Sequence, residues 1–166
     1  MRVFEERQQF NQWWLYAILG AVLVIILLAI YKNTDGFMDF NNPLLILGLL
    51  AATLPIALVL WMQLKTRIDR EGIKVVYLPF GSSKKFFPWE EIEECYVRKY
   101  NPLLEYGGWG MRGIGNKKAY NASGNLGIQI VTRDKKNFLI GTQQPGEARA
   151  VIKNYIHKIN TQSNKY

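Results

Sequence analysis

Residues 13–31 read WWLYAILGAVLVIILLAIY, residues 44–62 read LLILGLLAATLPIALVLWM, and neither stretch contains a charged residue. At about 1.5 Å per residue, each would form a helix of roughly 28 Å, close to a hydrocarbon core of about 30 Å. Trp13, Tyr31 and Trp61 lie at the ends of these stretches, as aromatic residues do at membrane interfaces. The pattern predicts a membrane α-helical hairpin with spans at about 13–31 and 44–62.

The charges around the two stretches predict their orientation. The connector, residues 32–42, has one lysine against two aspartates, whereas basic residues flank the outer ends: Arg2, Arg7, Lys65, Arg67 and Arg70. Because basic residues stay on the cytoplasmic side, we expect a multi-pass inner (cell) membrane protein with both termini in the cytoplasm. A cleaved signal peptide and a buried hairpin of a soluble protein are the alternatives, but the first stretch is longer than a signal-peptide core.

The basic character belongs to the C-terminal part of the chain. Residues 1–64 contain three basic and four acidic residues, a net charge of −1. Because the whole chain has a net charge of +8, residues 65–166 have a net charge of +9. A charge of this size is compatible with an anionic lipid surface or with nucleic acid. No nucleic-acid module is recognisable, so we expect anionic lipid headgroups rather than nucleic acid.

Downstream of residue 64 the apolar residues alternate with a period near two. This period predicts strands over 66–69, 73–78, 85–87, 92–100, 127–133 and 137–142. Ala148, Val151, Ile152 and Tyr155 then recur at helical spacing after Pro145, which predicts a terminal amphipathic helix. We therefore expect residues 1–64 to form the membrane hairpin, residues 65–160 a cytoplasmic domain of six to seven antiparallel strands with a C-terminal capping helix, and residues 161–166 a frayed tail.

Three phrases carry a resemblance to a known family: TRIDREGI at 66–73, FPWEEI at 87–92 and FLIGT at 138–142. They resemble the opening hairpin, a strand corner and the last strand of bacterial pleckstrin-homology-like (PH-like) domains. The whole chain is similar to small bacterial membrane proteins with two transmembrane helices and such a domain, most of them uncharacterised. The resemblance implies a mainly-β PH-like barrel or sandwich beside a membrane, and it implies no reaction.

The glycine-rich segment 107–115 is the most unusual local feature. Residues 108–113, GWGMRG, formally match G-x-G-x-x-G, but turn residues follow instead of the helix that a dinucleotide site needs. The segment is either a structural turn or a contact for a membrane, partner or ligand. Together with a second basic and aromatic corner, it supplies the predicted lipid-binding or partner-binding residues: Lys84, Lys85, Trp109, Arg112, Lys117 and Lys118.

No set of residues predicts catalysis. Glu90, Glu91, Glu93 and Glu94 alternate between the faces of a turn and a strand, and acid–base chemistry needs carboxylates held together in a cleft. Cys95 and His157 are the only cysteine and histidine, so an intrachain disulfide or a cysteine-built zinc site cannot form. We expect no catalytic residues, metal or cofactor.

These patterns predict a non-enzymatic, membrane-anchored binding or scaffold module that contacts a protein partner, a peptide or anionic lipid headgroups. The alternative is a small-molecule sensor or an accessory subunit of a membrane enzyme or transport complex. Other membrane proteins and a second copy of the chain are further candidate partners, because small residues in the apolar stretches allow helices to pack closely.

Overall fold

The computed structural model describes residues 3–10, 12–33, 43–79, 81 and 84–163, apart from the side chains of residues 30, 33, 44, 45, 49, 52, 55 and 157–163. The chain divides into two compact units. Residues 10–62 form a helical unit, and residues 1–9 together with 63–166 form a β unit.

The helical unit contains two helices, α1 at Trp13–Asn33 and α2 at Pro43–Trp61. Before α1, the Gln12 carbonyl accepts a hydrogen bond from the Leu15 amide at 3.0 Å, and the Tyr16 hydroxyl donates to the Phe10 carbonyl at 2.9 Å. Many large apolar side chains of the two helices are exposed, among them Trp13, Ile25, Leu28, Leu47, Leu54 and Trp61.

The prediction of a two-span membrane hairpin is wrong. Within the part of the chain that the structure describes, no helix combines the length and the apolarity that crossing a bilayer requires. The predicted inner-membrane location with both termini in the cytoplasm depended on these spans and is corrected with them.

The β unit begins with a four-stranded antiparallel sheet in the order β1-β2-β3-β4. Its strands are β1 at Phe4–Gln9, β2 at Gln63–Ile68, β3 at Gly72–Leu78 and β4 at Lys85–Pro88. Strands β1 and β2 are neighbours, with Gln9 opposite Gln63, although residues 10–62 lie between them in the chain. The helical unit is therefore an insertion between two adjacent strands of one sheet.

A second sheet has five strands in the order β5-β8-β9-β7-β6, and all its pairs are antiparallel except β7–β9. Its strands are β5 at Ile92–Lys99, β6 at Gly110–Ile114, β7 at Lys117–Asn121, β8 at Leu126–Thr132 and β9 at Asn137–Gly141. A 3-10 turn at Trp89–Glu91 connects the sheets, a short helix α3 at Pro102–Tyr106 follows β5, and α4 at Pro145–Ser163 ends the described chain.

The predicted fold class needs two further corrections within the β unit. Nine strands are present in the described residues where six to seven were predicted, because β1, β6 and β7 were not foreseen. Residues 4–9 belong to the β unit, whereas the sequence placed them with the apolar stretches. The unit is mainly β, with two sheets and a C-terminal helix.

Apolar side chains of both sheets and of α4 form the core of the β unit. The largest fully buried side chains include Phe4, Phe87, Ile73, Ile128, Ile130 and Ile140. Helix α4 packs against β5, β8 and β1 and buries Ala148, Val151, Ile152 and Tyr155. Trp89 stacks on Tyr155 with ring centroids 5.4 Å apart and donates from Nε1 to the Asp69 carbonyl at 2.9 Å. The amphipathic helix therefore closes the core.

Polar side chains of β1 connect the first sheet to residues 141–143. The buried Glu6 carboxylate accepts hydrogen bonds from Thr142 Oγ1 and from the Gln143 amide, both at 2.6 Å. Gln8, also buried, donates from Nε2 to the Gly141 carbonyl at 2.6 Å. Because these bonds satisfy buried polar groups, β1 is a structural part of the β unit.

Candidate functional site

The structure places the six predicted binding residues in two regions of the β unit. Lys85 begins β4, and Lys84 precedes it. Trp109, Arg112, Lys117 and Lys118 belong to the hairpin β6–β7 and the turn before it. All of these cations are exposed. A binding role for these six residues stays a prediction.

The register of the hairpin separates its side chains by face. Arg112 lies opposite Ala119, and Ile114 lies opposite Lys117. Lys118 is the register partner of Phe138 on β9 and so shares a face with that buried ring. Arg112, Ile114 and Lys117 therefore lie on the other face, which we call the outer face of the five-stranded sheet.

The glycines of segment 107–115 shape this hairpin. Gly113 has φ +103°, and a Cβ there would lie 2.1 Å from the Lys117 carbonyl oxygen, so a side chain cannot be accommodated without movement. Gly110, at φ +113°, donates its amide to Asn121 Oδ1 at 2.8 Å. The segment that resembles G-x-G-x-x-G is thus a turn followed by β6, and it does not open a helix.

Asn121 fixes the hairpin to the rest of the β unit. Besides accepting from Gly110, its Nδ2 donates to Tyr100 Oη at 2.9 Å, and its carbonyl accepts from Tyr77 Oη at 2.7 Å. Asn121 is fully buried, and burial raises the pKa of Tyr100 to about 12, so this tyrosine is un-ionised at neutral pH. The hairpin is thus held at one end, and its exposed turn lies at the other end.

Helix α3 covers part of the outer face. Asn101 caps it by accepting from the amides of Leu103 and Leu104, and Pro102 occupies its first turn. The helix places Tyr106 in a buried cluster with Tyr100, Ala119 and Leu139. Its exposed side holds Leu103 and Leu104, the latter 86% exposed.

An ion pair joins α3 to the sheet. Arg98 donates to Glu105 Oε2 at 2.8 Å and Oε1 at 3.2 Å, and its Nε donates to Gln129 Oε1 at 3.0 Å. The hydrogen bond from Arg98 lowers the pKa of Glu105 below its ordinary value of 4.5. Both side chains are partly exposed, so the pair orients Arg98 more than it stabilises the fold.

Two of the cavities are formed by described residues of the β unit alone. One, of about 430 Å³, is on the outer face and is lined by residues of α3, β5, β7, β8 and β9. The other, of about 420 Å³, lies beside Lys85, whose Nζ is 5.8 Å from the ring centroids of both Phe87 and Phe138. On its rim, hydrogen bonds from Lys136 and Thr132 lower the pKa of Asp134 to about 2.

The other titratable groups considered in the sequence do not come together in one cavity. Glu93 pairs with Lys135 at 2.7 Å. Glu90 and Glu91 lie on the 3-10 turn and on the rim of the cavity beside Lys85. Cys95 is buried, and burial raises the pKa of its thiol to about 12, so it is not a nucleophile at neutral pH. The side chain of His157 lies outside the described residues.

Residues that sequence reasoning missed include Tyr96, Arg98, Glu105, Tyr106 and Gln129, which line the outer-face cavity. The cap sequence Asn101-Pro102 is a helix-start signal that could have revealed α3. Among the described residues, no group of three or more His, Cys, Asp or Glu side chains is placed to hold a metal ion.

Comparisons of the chain with family models, with curated proteins and with solved structures found no match.

Proposed function

We propose that the chain is a non-enzymatic binding module that binds an acidic segment of a protein partner on the hairpin β6–β7. The observation that supports this most strongly is the exposure of an apolar side chain among free cations. Ile114 is 94% exposed at the end of the hairpin. Arg112 and Lys117 share its face of the hairpin, and Lys118, next to Lys117 in the chain, lies on the opposite face.

The charges of the hairpin favour an acidic partner. None of these three cations forms an ion pair with a described residue, whereas Arg98 and Lys135 elsewhere in the unit are paired. Unpaired cations attract an acidic surface and accelerate its association, and this attraction weakens as salt rises.

Exposed apolar side chains near the hairpin would anchor such a partner. Met111 is exposed on β6, and Leu103 and Leu104 are exposed on α3, which precedes β6 in the chain. Strand β6 also has a free edge, but the positive φ angles of Gly110 and Gly113 interrupt a regular ladder. We therefore assign binding to side chains rather than to strand addition.

The strand order supports the resemblance to PH-like domains as part of the proposal. Without the hairpin, the β unit has a four-stranded meander, then β5, β8 and β9, then the closing helix. In this arrangement the hairpin is an addition to the scaffold, and additions on a rigid scaffold commonly carry binding residues.

A photo-crosslinking experiment tests the proposal. Benzoylphenylalanine replaces Ile114 in the full chain, expressed in its source cells, and again replaces Glu71, which is exposed in another turn. We expect position 114 to form one adduct that position 71 does not form. The crosslinked segment, identified by mass spectrometry and made as a peptide, should be acidic and bind the purified chain less tightly at high salt.

Matched charge variants complete the test. Arg112→Ala/Lys117→Ala/Lys118→Ala should weaken peptide binding at least tenfold, whereas Arg70→Ala/Arg149→Ala/Lys153→Ala, which removes the same charge from other exposed positions, should not. Equal loss in both variants, a basic crosslinked segment or the absence of any adduct at position 114 would refute the proposal. Binding to anionic vesicles without peptide binding would point to lipid instead.

A further inference from the structure

The cavity on the outer face is lined by polar side chains, and some of their hydrogen-bond donors do not bond to other described residues. Arg98 and Gln129 form one side, Glu105 and Tyr106 of α3 lie beside them, and Lys117 of β7 lies next to α3. Its volume of about 430 Å³ is sufficient for a small molecule of several heavy atoms.

Tyr106 has a buried hydroxyl that lacks a hydrogen bond. The side chain is only 7% exposed, and Oη has no hydrogen-bond partner among the described residues. Burial raises the pKa of Tyr106, and the nearby Arg98 opposes this rise through its charge and through a hydrogen-bonding interaction with the hydroxyl. A buried hydroxyl without a well-formed hydrogen bond destabilises a fold, so a water or a ligand that enters the cavity and bonds to it would be stabilising.

Arg98 is held in one orientation. Its N–H groups donate to Gln129, to both oxygens of Glu105 and to the Lys99 carbonyl, which accounts for four of the five that a guanidinium has. Gln129 is itself buried and donates from Nε2 to the Phe138 carbonyl at 3.2 Å. The remaining N–H of a fixed guanidinium is a ready donor to an anion.

Lys117 covers Tyr106 but can move. Its Nζ lies 5.2 Å from the centroid of the Tyr106 ring, and the lysine side chain is exposed. It has no ion pair among the described residues. An anion that enters the cavity could attract this ammonium away from the ring and bind between it and Tyr106.

We propose that the outer-face cavity binds a small oxyanion, a carboxylate or a phosphate, with Lys117, the Tyr106 hydroxyl and the free N–H of Arg98 as donors. One acidic residue, Glu105, faces the cavity, and it is neutralised by Arg98, so one positive charge remains to receive the anion. The inference does not require the hairpin proposal: Arg98 and Tyr106 lie outside the hairpin, and Lys117 is the one residue that both proposals use.

Thermal unfolding of the full chain tests this site with inorganic phosphate, acetate and benzoate as probes. Each is added up to 20 mM while sodium chloride keeps the ionic strength constant. We expect a saturable rise in melting temperature with at least one probe, since a ligand that binds only the native state stabilises it. A response to phosphate alone or to carboxylates alone identifies which oxyanion the site prefers.

Tyr106→Phe separates binding from a structural role because it removes only the unsatisfied hydroxyl. The variant should melt at the same or a higher temperature without anion, and its response to the anion should fall at least fivefold. Tyr120→Phe, at a buried tyrosine whose register places it on the opposite face of the same sheet, should keep the wild-type response. An undiminished response in Tyr106→Phe, or no response of the wild-type chain to any probe, would overturn the proposal.

The two proposals can fail separately. Tyr106→Phe should leave the crosslink from position 114 unchanged. A variant with Arg112→Ala and Lys118→Ala should keep its thermal response to the anion.

Discussion

Strand β1 and the hairpin β6–β7 are both rich in polar residues, yet these residues have opposite environments in the two elements. In β1, Glu6 and Gln8 are buried and bonded to residues 141–143. In the hairpin, Arg112 and Lys118 are exposed and form no ion pair among the described residues.

The difference shows that a polar strand residue has a structural or a binding role according to its partners. The partners of Glu6 lie more than 130 residues away in the chain, and the fold brings them together. Among the described residues, Arg112 donates from Nε to the carbonyl of Trp109, three residues before it, and its side chain is exposed to solvent. Changes in β1 should therefore affect stability, and changes in the hairpin should affect binding.

The largest expected effect comes from removing β1. A chain that starts at residue 10 loses a whole strand and leaves Thr142, Gln143 and one edge of β2 without partners. We expect a loss of more than about 4 kcal/mol in the free energy of unfolding, enough to prevent cooperative folding of many domains. Urea unfolding followed by tryptophan fluorescence measures this, and removing only residues 1 and 2 serves as the control. A cooperative transition of wild-type midpoint would contradict the assigned role of β1.

Glu6→Ala should have the next largest effect. It removes the acceptor for the buried Thr142 Oγ1 and for the partly buried Gln143 amide, which should cost about 2–3 kcal/mol. A double-mutant cycle with Thr142→Val isolates the Glu6–Thr142 bond. Additive effects of the two changes would show that the bond contributes nothing.

Asn121→Ala tests the point at which the hairpin is anchored. The Gly110 amide and Tyr100 hydroxyl would lose their partner, at a cost of about 1–3 kcal/mol. We expect hydrogen exchange to accelerate at Gly110 and along β6 more than in β8. Equal acceleration in both strands would mean that Asn121 supports the whole sheet rather than the hairpin.

Glu105→Gln should give a smaller effect that depends on pH. The pKa of Glu105 is lowered in the folded chain by Arg98, so this carboxylate stabilises the fold above its unfolded value of about 4.5, and that contribution is lost as pH falls through the lower folded pKa. We expect the wild type to exceed the variant by up to about 1 kcal/mol at pH 7, because the pair is partly exposed. Unfolding measurements from pH 7 to pH 3 should show that the difference in the free energy of unfolding shrinks below pH 4.5. A difference that stays constant would show that the Arg98–Glu105 ion pair does not stabilise the fold.

Arg112→Ala/Lys118→Ala should have the smallest effect on folding. Both side chains are exposed, so the free energy of unfolding should change by less than about 0.5 kcal/mol per residue. Chemical denaturation checks this. A large loss of stability would show that these cations, like Glu6 and Gln8 of β1, have a structural role, and it would weaken the proposed binding role.

Sequence reasoning located strands whose buried residues are apolar. Strands β3, β5, β8 and β9 lie within a few residues of the predicted segments, because alternating Val, Ile and Phe residues mark a half-buried strand. It missed β1 because Glu6 and Gln8 occupy the inward positions of the alternation. It missed the hairpin because glycines and exposed cations give no apolar period.

The candidate sites were predictable only in part. The sequence indicated Arg112, Lys117 and Lys118 because they cluster locally with Trp109. It could not indicate Arg98 or Tyr106, because the ligand-sized space around them depends on how α3 packs on strands that are distant in the chain.

By itself, the sequence determined the apolar alternation of the core strands, the amphipathic closing helix and the excess of basic charge in the C-terminal part, because these follow from residue types at short spacing. The tertiary structure alone decided that β1 joins β2 across residues 10–62, that Glu6 is bonded rather than solvated, and that Arg98, Tyr106 and Lys117 line one cavity. These features depend on hydrogen bonds and packing between residues far apart in the chain, and the local periodicity of a sequence does not indicate such partners.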